Sequence, residues 1–198
     1  IIAIYKIKLL AEKKLIFIPS YLLLVICQIQ ITEYTVSYNI RTIHGIAFNK
    51  LCIAIFIPLE MAVLSAILYS TIKSKFIKKF LIFGSFIQAI ASVLYAIFIH
   101  NSNAFITTNS TTESLILIIP SLYYFYEVLK GPPILKLNKE PAFWTSTGIL
   151  FFIIIITPFN LALNNISFYL MQSLDYLAYS IIIILFIKAV LCLKKATT

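Results

Sequence analysis

Charge and flexible backbone are what this 198-residue chain has least of. Only 12% of its residues are charged, seven of them acidic, and it holds four glycines, one tryptophan, two histidines and three cysteines. So little charge cannot clothe a water-soluble surface, which normally needs about a quarter of all residues charged. Cys27, Cys52 and Cys192 fall in apolar stretches without CxxC or Cys/His spacing, so they read as buried small hydrophobes rather than a disulfide or zinc site. His44 and His100 have no ligand-forming partner at useful spacing. No metal, nucleotide or catalytic motif stands out, and no cofactor is implied.

What the chain has is hydrocarbon: 61% hydrophobic residues and a mean hydropathy of +0.99. Apolar runs of roughly 17 to 25 residues match the ~30 Å depth of a bilayer core, and six can be read, at 15–31, 51–72, 80–99, 114–129, 142–163 and 168–187. The fourth is short, reaching only about 24 Å at 1.5 Å per residue. Residues 1–5 are apolar but too short to span, with no initiator Met and no signal-peptide pattern, and read as the remnant of a seventh helix. The β-branched run 149–156 would favour a strand in water, yet lipid leaves the backbone only helices or closed barrels, and no barrel alternation is present. The expected fold class is all-α, a polytopic transmembrane helical bundle in one domain.

The basic residues give an independent check. The formal net charge of +9 would suggest nucleic acid in a soluble protein, but here lysines cluster between apolar runs, where anionic lipid headgroups are the natural partner. Fourteen of the 16 Lys and Arg residues lie before the first span, between the second and third, between the fourth and fifth, or after the sixth; only Arg41 and Lys50 lie on the opposite side. Cytoplasmic loops gather Lys and Arg, so the alternation supports six spans and places the C-terminus in the cytoplasm. Gly131, followed by Pro132 and Pro133, is expected to end the fourth helix with a left-handed cap. Pro141 suits the first turn of the next, with Trp144 at headgroup depth. Pro58 and Pro158 fall inside spans.

Polar groups within the spans are the candidates for function, because charge in hydrocarbon costs about 2.5 to 3.5 kcal/mol per residue on insertion scales. Glu60 lies roughly 14 Å deep by helical rise, level with Gln88 on the next span, so a hydrogen bond between them is geometrically open. The sixth span places Gln172, Asp175, Tyr176 and Tyr179 on one stripe, and the fourth repeats the pattern with Tyr123, Tyr126, Glu127 and Lys130. For the fourth, a structural reading suffices: interfacial tyrosines and a Glu127 to Lys130 pair. Glu12, Glu113 and Glu140 are assigned to loops or boundaries. Glu33, Glu60 and Asp175 map to the outer half with Arg41 and His44, and would line a cavity open to the outside if the first, second and sixth spans pack together. Asn109-Ser-Thr and Asn165-Ile-Ser match the glycosylation pattern, relevant only in a secretory pathway.

The segment Leu137-Asn-Lys-Glu-Pro141-Ala-Phe143-Trp144, followed by Gly148-Ile-Leu-Phe-Phe and preceded by Tyr123-Tyr-Phe-Tyr126, resembles a group of uncharacterised multi-pass proteins of Bacteroidota over residues 115–187. The resemblance implies a bacterial inner membrane and seven helices, and carries no activity.

Three functions compete. A sensor or signalling component would bind a small ligand or protein partner outside and pass a helix shift to the basic cytoplasmic loops. A small transporter or channel subunit would use Glu60 and Asp175 for proton or cation coupling, although no inverted repeat is visible. An enzyme would need His, Asp or Glu residues converging at one depth; none is evident, and no enzymatic activity is expected.

Overall fold

The computed structural model describes residues 17–37, 48–98, 102–131, 137–162 and 168–195. These residues form six α-helices and no strand: α1 (Phe17–Ser37), α2 (Phe48–Thr71), α3 (Lys75–Phe98), α4 (Ser102–Lys130), α5 (Pro141–Leu161) and α6 (Phe168–Lys195), with a single 3-10 turn at Leu137–Lys139. Four helical stretches are long and apolar enough to cross a membrane, Cys52–Thr71, Lys75–Phe98, Pro141–Leu161 and Ser173–Cys192, and α1 carries the shorter apolar run Phe17–Ile31.

The second helix is the hub. It touches α1, α3, α4 and α5, while α5 lies along α6 and a small contact between α1 and α6 closes the ring. Half of Cys52–Thr71 is buried, against 22% of Ser173–Cys192, which puts α2 inside and α6 at the rim. One continuous core joins Ile18, Tyr21 and Val25 of α1 to Met61, Leu64 and Leu68 of α2, Leu117 of α4, Phe152 of α5 and Phe186 of α6. The spacings are helical: 18, 21 and 25 on α1, and 178, 182, 186 and 189 on α6, each make one inward stripe.

The outside is more apolar than the inside on α3. That helix buries Gly84, Gln88, Ser92 and Ala96 and exposes Phe83, Phe86, Ile90, Val93 and Phe98. In water the hydrophobic effect would turn such a helix over. In lipid the outward side chains cost nothing, and small or polar residues between helices give close approach and hydrogen bonds. Gly84 shows the closeness, since a Cβ placed there would meet Ile116 Cγ2 of α4 at 2.5 Å.

The largest departure from the sequence reading is α4. The helix begins at Ser102, well before residue 114, and is 29 residues long. The Ser/Thr/Asn-rich stretch 102–113 looks like a loop because such side chains compete for backbone hydrogen bonds. Several of them are satisfied in place, although Thr111 Oγ1 is buried without a hydrogen-bond partner among the described residues. Thr112 Oγ1 donates to the Thr108 carbonyl, Thr107 Oγ1 to the Asn160 carbonyl, and Asn160 Nδ2 to Ser110 Oγ. Glu113 therefore lies mid-helix, 5% exposed, instead of at a boundary. Asn109 is fully buried, which removes it as a glycosylation acceptor.

Two smaller corrections concern local chemistry. Gly131 does not adopt a left-handed backbone; its N–H donates to the Glu127 carbonyl at 3.1 Å as a further helical bond. Pro132 and Pro133, which have no N–H to continue a helical ladder, lie outside the described residues. Cys27 is exposed on α1 and Cys52 is half-buried, so only Cys192 is a buried thiol.

Candidate functional site

Glu60 sits at the middle of α2 and is 2% exposed. Its carboxyl is held from two other helices. Tyr21 of α1 donates its hydroxyl to Oε1 at 3.0 Å, and Tyr179 of α6 donates to Oε2 at 3.3 Å. Aromatic neighbours fix both phenols. Tyr21 meets Phe186 edge-on at 5.4 Å, and Tyr179 lies 5.2 Å from the Phe152 ring of α5. The first, second and sixth helices thus meet at one buried carboxylate. The outer residues expected to open this place into a cavity, Arg41 and His44 and the side chain of Glu33, lie outside the described residues.

Two further acids stand within electrostatic reach. Asp175, one turn before Tyr179, lies within coulombic range of Glu60, as does Glu113 of α4, whose range also takes in both phenols. Four helices therefore contribute three carboxyls and two phenols to one region. Oε1 of Glu113 is buried with no hydrogen-bond partner among the described residues. No described lysine is among the groups acting on these acids. Carboxylates crowded in a low-dielectric interior repel one another, and a cation or bound protons relieve that repulsion. Among the described residues no group of three or more His, Cys, Asp and Glu is arranged to hold a metal ion.

Gln88 does not reach Glu60. Its Nε2 donates to the Asn109 carbonyl at 2.9 Å and to Asn109 Oδ1 at 2.6 Å. Asn109 Nδ2 donates in turn to Ser92 Oγ, and Ser92 Oγ to the Ala54 carbonyl at 2.8 Å. The last bond follows from the sequence. Pro58 has no N–H to offer the carbonyl four residues earlier, which is that of Ala54, and in an apolar interior a freed carbonyl must be paired elsewhere. The expected Gln88 site is thus a structural strap across α2, α3 and α4.

The α6 stripe divides. Tyr179 turns toward Glu60 and Asp175 lies within coulombic range of it, whereas Tyr176 is 37% exposed, and the side chain of Gln172 lies outside the described residues. The same holds for the side chains of Glu33, Arg41, His44 and His100.

On α4 the structural reading holds with different partners. Glu127 does not pair with Lys130; its two oxygens accept the backbone N–H groups of Lys73 and Ser74 at 2.9 Å each, tying α4 to the turn that opens α3. A negative charge there also suits the positive end of the α3 dipole. Lys130 lies 4.8 Å over the Tyr126 ring, and a hydrogen bond with Tyr126 pushes its pKa above the ordinary lysine value. Tyr123 stacks beside Tyr126 at 5.6 Å. Trp144 donates Nε1 to the Asn138 carbonyl at 2.8 Å, with Lys188 5.6 Å over its ring, so it locks the α4–α5 connection to α6.

Sequence reading missed Tyr21 and Glu113. Tyr21 is a lone tyrosine in an apolar run, with nothing in its spacing to mark it. Glu113 was hidden by the polar stretch that precedes it. Comparison with family models, with curated proteins and with solved structures finds no match to this chain.

Proposed function

We propose that this chain is an integral membrane protein with six spanning helices and a cytoplasmic C-terminus, in a bacterial inner membrane, and that it binds a small ligand at Glu60 as a sensor or signalling component. The observation that carries the reading is the sharing of one buried carboxyl between Tyr21 of α1 and Tyr179 of α6. A ligand that competes for Glu60 releases both phenols at once and frees α1 to shift against α6. Those two helices run to lysine-bearing cytoplasmic ends, where a lipid surface or a signalling partner senses the shift. Three acids beside two phenol oxygens favour a compact organic cation as the ligand.

The test uses the full chain in lipid nanodiscs, with spin labels at the cytoplasmic ends of α1 and α6 and tetramethylammonium or ethanolammonium as the probe. A probe-dependent change in the label distance, absent in Glu60→Gln, is the expected result. Distances that ignore both probes in the unsubstituted protein would overturn the sensor reading.

Transport remains the second reading, favoured by Glu113, which with Glu60 and Asp175 extends an acidic region across α4, α2 and α6. Proton-coupled uptake into proteoliposomes should vanish in Glu60→Gln and Asp175→Asn; unchanged flux sinks that idea. Enzymatic activity is not proposed, since the groups that converge are acids and phenols alone.

A further inference from the structure

Away from the acidic site, a half-open groove of about 620 Å³ runs between α1, α2 and α3. Its length follows α2 from Ala62 to Tyr69 and α3 from Lys78 to Ser85, ~10 Å by helical rise, with Phe17 of α1 on one wall. The volume falls in the usual range for a small-molecule site, roughly 300 to 1,000 Å³. The serine hydroxyls that line it are already occupied: Ser70 Oγ donates to the Ile67 carbonyl, and Ser85 Oγ donates to the Leu81 carbonyl and is hydrogen-bonded to Ser65 Oγ. What remains is a largely apolar trough with one cation among the described lining residues, Lys78 in the first turns of α3, whose ammonium lies 4.6 Å over the Tyr69 ring.

We propose that this groove holds an acyl chain of an anionic phospholipid, with the lipid phosphate on Lys78. The assignment rests on the membrane reading above. A trough whose serine hydroxyls are satisfied internally offers little to a sugar or peptide, and loses little to hydrocarbon. The cation is placed where a headgroup phosphate belongs, at the lysine-rich end of the helices. The chain's own residues 1–16 are the other occupant within reach by sequence, and their charge argues against them. They carry Lys6, Lys8, Lys13 and Lys14, which Lys78 and its neighbours repel.

The test is native mass spectrometry of the full chain released from nanodiscs of equal phosphatidylglycerol and phosphatidylcholine. One phosphatidylglycerol should stay bound per chain. Ala66→Trp, which fills the trough, should abolish retention. Lys78→Gln should lower the preference for phosphatidylglycerol by about fivefold, the weight of one basic side chain at an anionic surface. Lys79→Gln, in the same basic turn but outside the groove, should leave the preference unchanged. Equal retention of both lipids, retention that survives Ala66→Trp, or equal effects of the two lysine substitutions would overturn the proposal. Failure of the chain to enter nanodiscs at all would instead count against the membrane reading.

Discussion

Tyr21 and Glu60 are 39 residues apart in sequence and 3.0 Å apart in the bundle, in a bond that neither helix can make alone. Tyr21→Phe keeps the ring on Phe186 and removes only the donor. A buried acceptor left unpaired costs about 1 to 3 kcal/mol, so thermal unfolding in detergent should move down. Tyr179→Phe should cost less, because its bond to Glu60 is longer and only part-buried. Equal melting of Tyr21→Phe and the unsubstituted protein would show that the clamp does not hold α1 in place.

Ser92 and Pro58 make a sharper test, because one supplies the hydrogen bond that the other withholds. Ser92→Ala leaves the Ala54 carbonyl unpaired and should destabilise by ~1 to 3 kcal/mol. In Pro58→Ala the restored N–H can take that carbonyl, and the same Ser92→Ala change should then cost much less. A double-mutant cycle with coupling below about 0.5 kcal/mol would refute the compensation.

Glu113 should behave in the opposite sense. Its unpartnered oxygen is a burden on the fold, so Glu113→Leu is expected to raise the melting temperature, by an amount worth on the order of 1 kcal/mol. If the acidic region binds a cation, the same substitution should weaken binding of the organic-cation probes. A gain of stability with unaltered probe binding would confine Glu113 to structure; a loss of stability would mean that its carboxyl is paired.

Gly84 reports on packing. Gly84→Ala drives a methyl into Ile116 Cγ2, a branched group with little room to turn, and overpacking of this kind costs about 1 to 3 kcal/mol. Adding Ile116→Ala should recover part of the loss. If Gly84→Ala melts normally, α3 and α4 are not in close contact there.

Topology is checked by labelling single cysteines in intact cells with an impermeant reagent, after replacement of the three native cysteines. Asn164→Cys should label from outside, while Ser74→Cys and Asn138→Cys should not. Ser110→Cys discriminates the helix from a loop: Ser110 is 8% exposed and accepts from Asn160, so it should resist the reagent from either side. Ready labelling at Ser110→Cys would restore the loop reading of residues 102–113.

How far sequence reaches differs between residues for physical reasons. Glu60 and Asp175 could be singled out unaided, since a charge within a long apolar run is expensive wherever it ends up. Of their neighbours, Tyr179 could be picked out by its stripe with Asp175, but Tyr21 is an ordinary residue for a helix that meets headgroups, and Glu113 follows a polar stretch that suits a loop until α3 and α5 take up several of its side chains. The expected Glu60 to Gln88 bond was possible by depth alone, but depth does not fix rotation about the helix axis, and Gln88 turns toward Asn109 instead.

Composition and the spacing of apolar runs determined the helical class and, through the lysine pattern, the expected orientation, because hydrocarbon imposes its demands on each segment separately. The tertiary structure alone decided which faces meet. Glu60 took two phenols, Glu113 joined it, and a groove stayed open beside Lys78, since helix rotation and neighbour choice depend on packing between segments that are distant in the chain.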